Sequence, residues 1–177
     1  MKSAVSKVLV VVDMQNCFRA ASSPALRRRV HNAIVHARQE GWLIVNLMYE
    51  LESHDDTTLV PGLKSVLKAN RAVDAWKDED DGGRQVAARI RRRGIKPTDI
   101  YMTGVNATCC VAETAERLAS IYPNATVHIT GAVGDDDVNF PERPVLIGCN
   151  RLGARDASRY GELRNVRANS IFGRRAA

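Results

Sequence analysis

Two adjacent cysteines, Cys109 and Cys110, follow a short apolar run, Ile100-Tyr101-Met102-Thr103, and a glycine turn at Gly104. From about Cys110 the pattern becomes helical as far as Leu118 and Ser120. A thiol at a helix N-terminus faces unpaired backbone N–H groups and the positive end of the helix dipole. Both favour the thiolate, the nucleophilic form of cysteine. A working nucleophile also needs a base and a group to steady negative charge. Two distant residues qualify by type and place. Asp13 ends the run Lys7-Val8-Leu9-Val10-Val11-Val12, and Lys77 ends the run Arg71 to Trp76. An aspartate there can equally cap its own loop. The residues alone do not choose between the two thiols.

The elements that would position these groups follow from periodicity. The β-branched run from Lys7 to Asp13 predicts a strand buried on both faces, as in a parallel sheet. Ligands collect at the carboxyl ends of such strands. Ser22-Ser23-Pro24 predicts a helix start, with Leu26, Val30, Ala33, Ile34 and Ala37 on one face and Gly41 as its stop. Further strands are expected over Trp42–Met48, Arg71–Trp76, Asp99–Thr103 and Ala125–Thr130, and a sixth over Asn165–Ser170. Helices are expected over Pro61–Ala69, Gly83–Arg93, Cys110–Ser120 and Arg151–Leu163. Gly131 to Pro144 reads as a loop, since Pro141 and Pro144 forbid a regular helix. This alternation predicts an α/β fold: three layers, α-β-α, around an open, six-stranded, mostly parallel Rossmann-like sheet. Residues 1–177 form one expected domain, with 171–177 a flexible basic tail.

Composition narrows the partners. The chain carries 26 Lys+Arg against 20 Asp+Glu, a formal net charge of +6. The arginine clusters at Arg27–Arg29, Arg91–Arg93 and Arg174–Arg175 fall in different elements and lack interleaved aromatics. They read as solvated faces, so a nucleic-acid partner is not expected. Neither a membrane-spanning run nor a signal-peptide pattern is visible, so a cytoplasmic location is expected, without membrane partners. The four cysteines show no zinc-type spacing and are expected as reduced thiols. The loop bearing Glu50, Glu52, His54, Asp55 and Asp56 could suggest a metal, but no pair stands at helical ligand spacing. A solvated acidic loop is the expectation, with no metal and no cofactor.

Three pieces of the chain resemble a known superfamily: Val11-Val12-Asp13-Met14-Gln15-Asn16-Cys17-Phe18, the lysine Lys77, and the motif Gly104-Val105 through Cys110-Val111 to Thr114-Ala115. Together they resemble the isochorismatase-like cysteine hydrolases, a group that includes nicotinamidases and N-carbamoylsarcosine amidase. The resemblance implies that Cys110 is the nucleophile, Asp13 the general base and Lys77 the group that orients Asp13 and stabilises charge. It implies an oxyanion hole from the backbone N–H groups of Asn106 and Cys110, with a cis peptide between Val105 and Asn106. It places Gln15, Phe18 and Val105 at the substrate, and leaves Cys109 and Cys17 as packing thiols. The implied reaction is cleavage of an amide, ureido or similar C–N bond of a small molecule through a thioester, in a homo-oligomer.

Two departures stand out. Where the family carries Ser-x-Phe beyond the lysine, this chain has Asp81-Gly82-Gly83. After the second strand, the Asp-x-His pair of metal-dependent nicotinamidases is replaced by Tyr49-Glu50-Leu51-Glu52-Ser53-His54. The alternative to an enzyme is therefore a repurposed family member that binds or assembles without catalysis.

Overall fold

The computed structural model describes residues 6–50, 56–134 and 145–148. In chain order the elements are β1 (Lys7–Val12), a 3-10 turn (Arg19–Ser22), α1 (Pro24–Gln39), β2 (Leu43–Tyr49), α2 (Leu63–Ala69) and β3 (Val73–Lys77). Then come α3 (Gly83–Arg92), β4 (Asp99–Gly104), α4 (Cys110–Ile121), β5 (Thr126–Ala132) and β6 (Val145–Gly148). The strands form one sheet in the order β3-β2-β1-β4-β5-β6. The first five are parallel to one another, and β6 pairs antiparallel with β5.

Sheet alternation builds the three layers. Val8, Val10 and Val12 of β1 face one way, into a core completed by Val86, Ala87 and Ile90 of α3 and Val111, Ala115 and Leu118 of α4. Leu9 and Val11 face the other way, toward Leu26, Val30, Ile34 and Ala37 of α1 and Leu63 and Leu67 of α2. β1 is thus buried on both faces, as its unbroken apolar run requires. Helix α1 buries the five residues its periodicity selects, starts with Pro24 behind a Ser23 side-chain cap, and ends at Gly41 with φ 73°. Near the amino end of the sheet, Trp42, Tyr101 and His128 stack, with ring centroids 4.7 and 4.5 Å apart.

One expectation needs correction, and one strand was not expected. The fifth strand does not stop at Thr130 but runs through Gly131 to Ala132; Gly131 takes φ 68° where the register shifts, so the glycine bends the strand without ending it. The sixth strand of the described sheet is Val145–Gly148, just after Pro144, a short edge strand that a four-residue pattern does not announce. The expected strand at Asn165–Ser170 and helix at Arg151–Leu163 lie outside the described residues.

Candidate active site

The carboxyl ends of β1, β3 and β4 bring the three proposed groups together, but not as neighbours in simple succession. β2 stands between β1 and β3. Register sets the heights: Val12 is level with Leu47 and Gly104, whereas Lys77 is level with Tyr49, two residues further along β2. Lys77 therefore has to reach back across the end of β2 to meet Asp13. Its long side chain does so, placing Nζ 3.0 Å from Asp13 Oδ2. On the way the ammonium lies 4.0 Å from the centroid of the Tyr49 ring and donates to the Glu79 carbonyl at 3.0 Å. Both charged residues are buried, Asp13 at 0% and Lys77 at 2% exposure.

Asp13 turns the chain off the strand with φ 49°, a conformation aspartate tolerates better than most residues. Its backbone N–H bonds to the Leu47 carbonyl. Opposite it, Gly104 takes φ 122°, and a Cβ there would collide with the Val12 carbonyl. Only glycine lets β4 approach β1 this closely at the turn. The turn is held from both sides: Val105 N–H bonds to Val12 O, and Val133 N–H bonds to Gly104 O. The Val105–Asn106 peptide is cis, as the sequence motif implies. The Asn106 carbonyl accepts from the N–H groups of Cys109 and Val111, which fixes the start of α4 and sets Cys110 as its first residue.

The Cys110 thiol is buried and lies against the Asp13 carboxylate. The Asp13 carboxylate has Lys77 on Oδ2 and the Cys110 thiol beside it, which places it to accept the thiol proton. Burial raises Asp13 from its ordinary value to about 6, against the opposing pull of the Lys77 charge. Burial also pushes the Cys110 thiol well above its ordinary value, aided by the neighbouring carboxylates of Asp13 and Asp80, with Lys77 opposing. Burial and the two acidic neighbours thus favour the thiol over the thiolate, against the pull of Lys77 and the helix terminus, which fits a base that removes the proton.

The structure adds residues that the sequence reading missed. Asp80, three positions after Lys77, lies across both thiols. Cys109 Sγ donates to Asp80 Oδ2 at 3.0 Å, and Cys110 Sγ to Asp80 Oδ1 at 3.4 Å. Cys109, expected as plain packing, thus has a polar role; its thiol is pushed up to about 11, by burial first and then by Asp80. These three side chains set a carboxylate oxygen and two sulfurs within 4.8 Å of one another, a donor set that suits a borderline divalent ion. Of the acidic loop considered for a metal, residues 51–55 lie outside the described ones; Asp56 bonds to the backbone N–H and hydroxyl of Thr58.

The residues expected at the substrate divide. Phe18 is half-buried, with its ring edge toward Tyr49 at 6.3 Å. Gln15 is fully buried, and its amide is committed to backbone: Nε2 donates to the carbonyls of Tyr49 and Thr57, and Oε1 accepts from Tyr49 N–H. It fastens the loop and Tyr49 beneath Lys77. Val105 is buried in the core on the α1 side of the sheet.

The Asp81-Gly82-Gly83 stretch also has a structural account. Asp81 accepts from Gly83 N–H and pairs with Arg117 at 2.6 Å. Gly82 donates its N–H to the Thr114 hydroxyl, and a Cβ at Gly82 would stand 2.8 Å from Lys77 Cδ. A Cβ at Gly83 would press on the Arg117 side chain. The two glycines let the chain pass close over Lys77 and α4. A Ser-x-Phe would not fit this path.

No family model matches the chain, and no curated protein matches it. Solved structures do. A nicotinamidase from Staphylococcus aureus is similar with TM-score 0.61 at 16% identity, over 72% of this chain and 82% of that one. A pyrazinamidase/nicotinamidase from Streptococcus mutans gives 0.63 at 16%, over 77% and 93%. An isochorismatase family protein from Desulfovibrio vulgaris gives 0.61 at 15%, over 77% and 87%. The fold is that of these isochorismatase-like proteins.

Proposed function

We propose that this chain is an isochorismatase-like cysteine hydrolase that cleaves a C–N bond, amide, ureido or similar, in a small molecule. The observation that carries the reading is the buried meeting of Asp13, Lys77 and Cys110 at the carboxyl end of the sheet. In the proposed cycle the substrate carbonyl settles over the Cys110 sulfur. Asp13, poised near neutrality, takes the thiol proton as the sulfur attacks the carbonyl carbon. The raised thiol value means that this transfer accompanies attack and does not precede it. Backbone N–H groups of Asn106 and Cys110 hold the oxyanion, a contribution of about 3 kcal/mol per donor in comparable sites. Asp13 passes the proton to the departing nitrogen, leaving a Cys110 thioester. Water, deprotonated by Asp13, then hydrolyses the thioester and restores the thiol. Lys77 orients Asp13 and favours its ionised form between the proton transfers. Tyr49 lies against the Lys77 ammonium and Phe18 against Tyr49, while Gln15 acts by holding Tyr49.

The deciding experiment is a panel of small amides and ureido acids assayed for ammonia release by the wild type and by Cys110→Ser. The reading expects turnover of at least one compound, abolished in the variant, with an acyl adduct on Cys110 visible by mass for a slow substrate. Turnover that survives in Cys110→Ser would refute the assignment of the nucleophile. No turnover of any compound and no adduct would favour a binding role without catalysis.

A further inference from the structure

The charge around the two thiols runs against the charge of the chain. The whole sequence carries a formal +6. Among the described residues, the charged groups that act on the thiols are the acids Asp13, Asp80 and Glu113 and the single cation Lys77. Lys77 is already matched by Asp13 in the buried pair. Asp81 is matched by Arg117. That leaves Asp80 as the carboxylate, among the described residues, that contacts the reacting sulfur without an ion pair of its own. It is partly exposed, and its two oxygens accept from the two thiols, with the Lys77 charge adding a smaller attraction. Those thiol hydrogen bonds also favour its ionised form, so the negative charge is present at neutral pH.

The position matters as much as the sign. An acyl group attacked by Cys110 has to bring its substituents within a few ångströms of the sulfur, and Asp80 Oδ1 is 3.4 Å from it. A substrate that reaches the sulfur therefore meets this carboxylate. A thiol is a weak donor. An ammonium, amidinium or N–H-rich ureido group would replace it with a stronger, charge-assisted hydrogen bond. A carboxylate in the same place would face repulsion and leave Asp80 without a partner.

We propose that Asp80 is a specificity-determining residue, selecting substrates that present a positive charge or an N–H-rich group beside the scissile carbonyl and rejecting those that present a carboxylate. The proposal rests on the hydrolase reading for the word substrate, but the charge selection itself can be measured without turnover. A cation on Asp80 would also relieve the repulsion that this carboxylate exerts on a Cys110 thiolate. The right substrate would then ease formation of its own nucleophile.

The test uses two small methanethiosulfonates, one 2-aminoethyl and cationic, the other 2-sulfonatoethyl and anionic. Each converts a thiolate to a mixed disulfide and releases methanesulfinate. Labelling of the intact chain is followed by peptide mass at Cys109 and Cys110, and the cation-to-anion rate ratio is divided by that of a small free thiol. Thiolate fraction cancels in the ratio at one thiol, and the normalisation removes the difference in intrinsic reactivity between the two reagents. The expected normalised ratio is at least about tenfold in the wild type, in line with a nearby unscreened charge. It should collapse toward one in Asp80→Asn, survive in Asp80→Glu, and shrink with added salt. A ratio near one in the wild type, or one unchanged in a folded Asp80→Asn variant, would overturn the proposal. A chain that shows the ratio but hydrolyses nothing in the amide panel would fail the hydrolase reading and still select cations at these thiols.

Discussion

Lys77 and Asp13 form an ion pair across a strand that belongs to neither of them. Their strands, β3 and β1, are separated by β2, and the 3.0 Å contact exists because Lys77 reaches over Tyr49 at the end of that strand. Tyr49 is itself pinned by the buried Gln15 amide. The pair is therefore set by four residues on three segments, and each can be perturbed separately.

Replacing Lys77 with Met preserves most of the volume and removes the charge. Asp13 is left buried with no cation, and breaking a buried pair this way commonly costs about 3 kcal/mol or more of stability. The opposing pull on Asp13 also disappears, so its pKa should rise above about 6. Two outcomes are expected: a lower midpoint in urea unfolding, and a fall in kcat/KM with its acidic limb displaced to higher pH. A limb that does not move would mean that Lys77 does not tune the base.

In the wild type the same reasoning fixes the direction of the pH profile. Asp13 accepts a proton only when ionised, so kcat/KM should rise with pH through a midpoint near about 6. Asp13→Asn should lower the rate by about a hundredfold or more and erase that limb. A stopped assay from pH 4.5 to 8 on any accepted substrate checks both.

Cys110 and Cys109 should separate cleanly. Cys110→Ser removes the nucleophile and is expected to be inactive. Cys109→Ala removes one donor from Asp80 and is expected to keep activity within about tenfold, since a thiol is a weak donor. Iodoacetamide should alkylate Cys110 slowly at neutral pH and faster as pH rises, since burial and its acidic neighbours hold the thiol above its ordinary value. Rapid alkylation at neutral pH would contradict a protonated resting state.

Gly82→Ala tests the passage over Lys77. The added Cβ would stand 2.8 Å from Lys77 Cδ and would also crowd Leu47, so something must move. Overpacking of this kind typically costs about 1–3 kcal/mol. Because Lys77 is one of the two crowded side chains, Leu47 being the nearer, activity should fall together with stability, and the acidic limb should shift in the same direction as in Lys77→Met. A thermal melt and a pH profile on one preparation would show it.

How much of this was legible beforehand depends on how local each signal is. The run Lys7–Val12 and the stripe Leu26–Ala37 are complete in themselves, so the central strand and α1 fell within a residue or so of expectation. Asp13, Lys77 and Cys110 could be named because each closes or opens such an element. Asp80 could not. It is one acid within Asp78-Glu79-Asp80-Asp81, and nothing in that run says which member faces a thiol. Only the return of the chain over α4, tied by Asp81 to Arg117 and by Gly82 to Thr114, turns Asp80 toward Cys109 and Cys110. The electrostatic surroundings of Cys110 were hidden for a related reason: helix position is written locally, whereas burial and the carboxylates of Asp13 and Asp80 are not.

The aromatic stack and the edge strand together give the chain a built-in optical label. Of its two tryptophans, Trp42 stacks on Tyr101 near the amino end of the sheet, and Trp76 stands 45% exposed on β3, directly before Lys77. Trp42, partly buried in this stack, should change its emission when the core melts. Trp76 should emit at longer wavelength and be open to aqueous quenchers. With Trp42→Phe, the remaining emission would follow the segment that carries Lys77 alone, and a titrated small molecule could be watched arriving there before any chemistry begins.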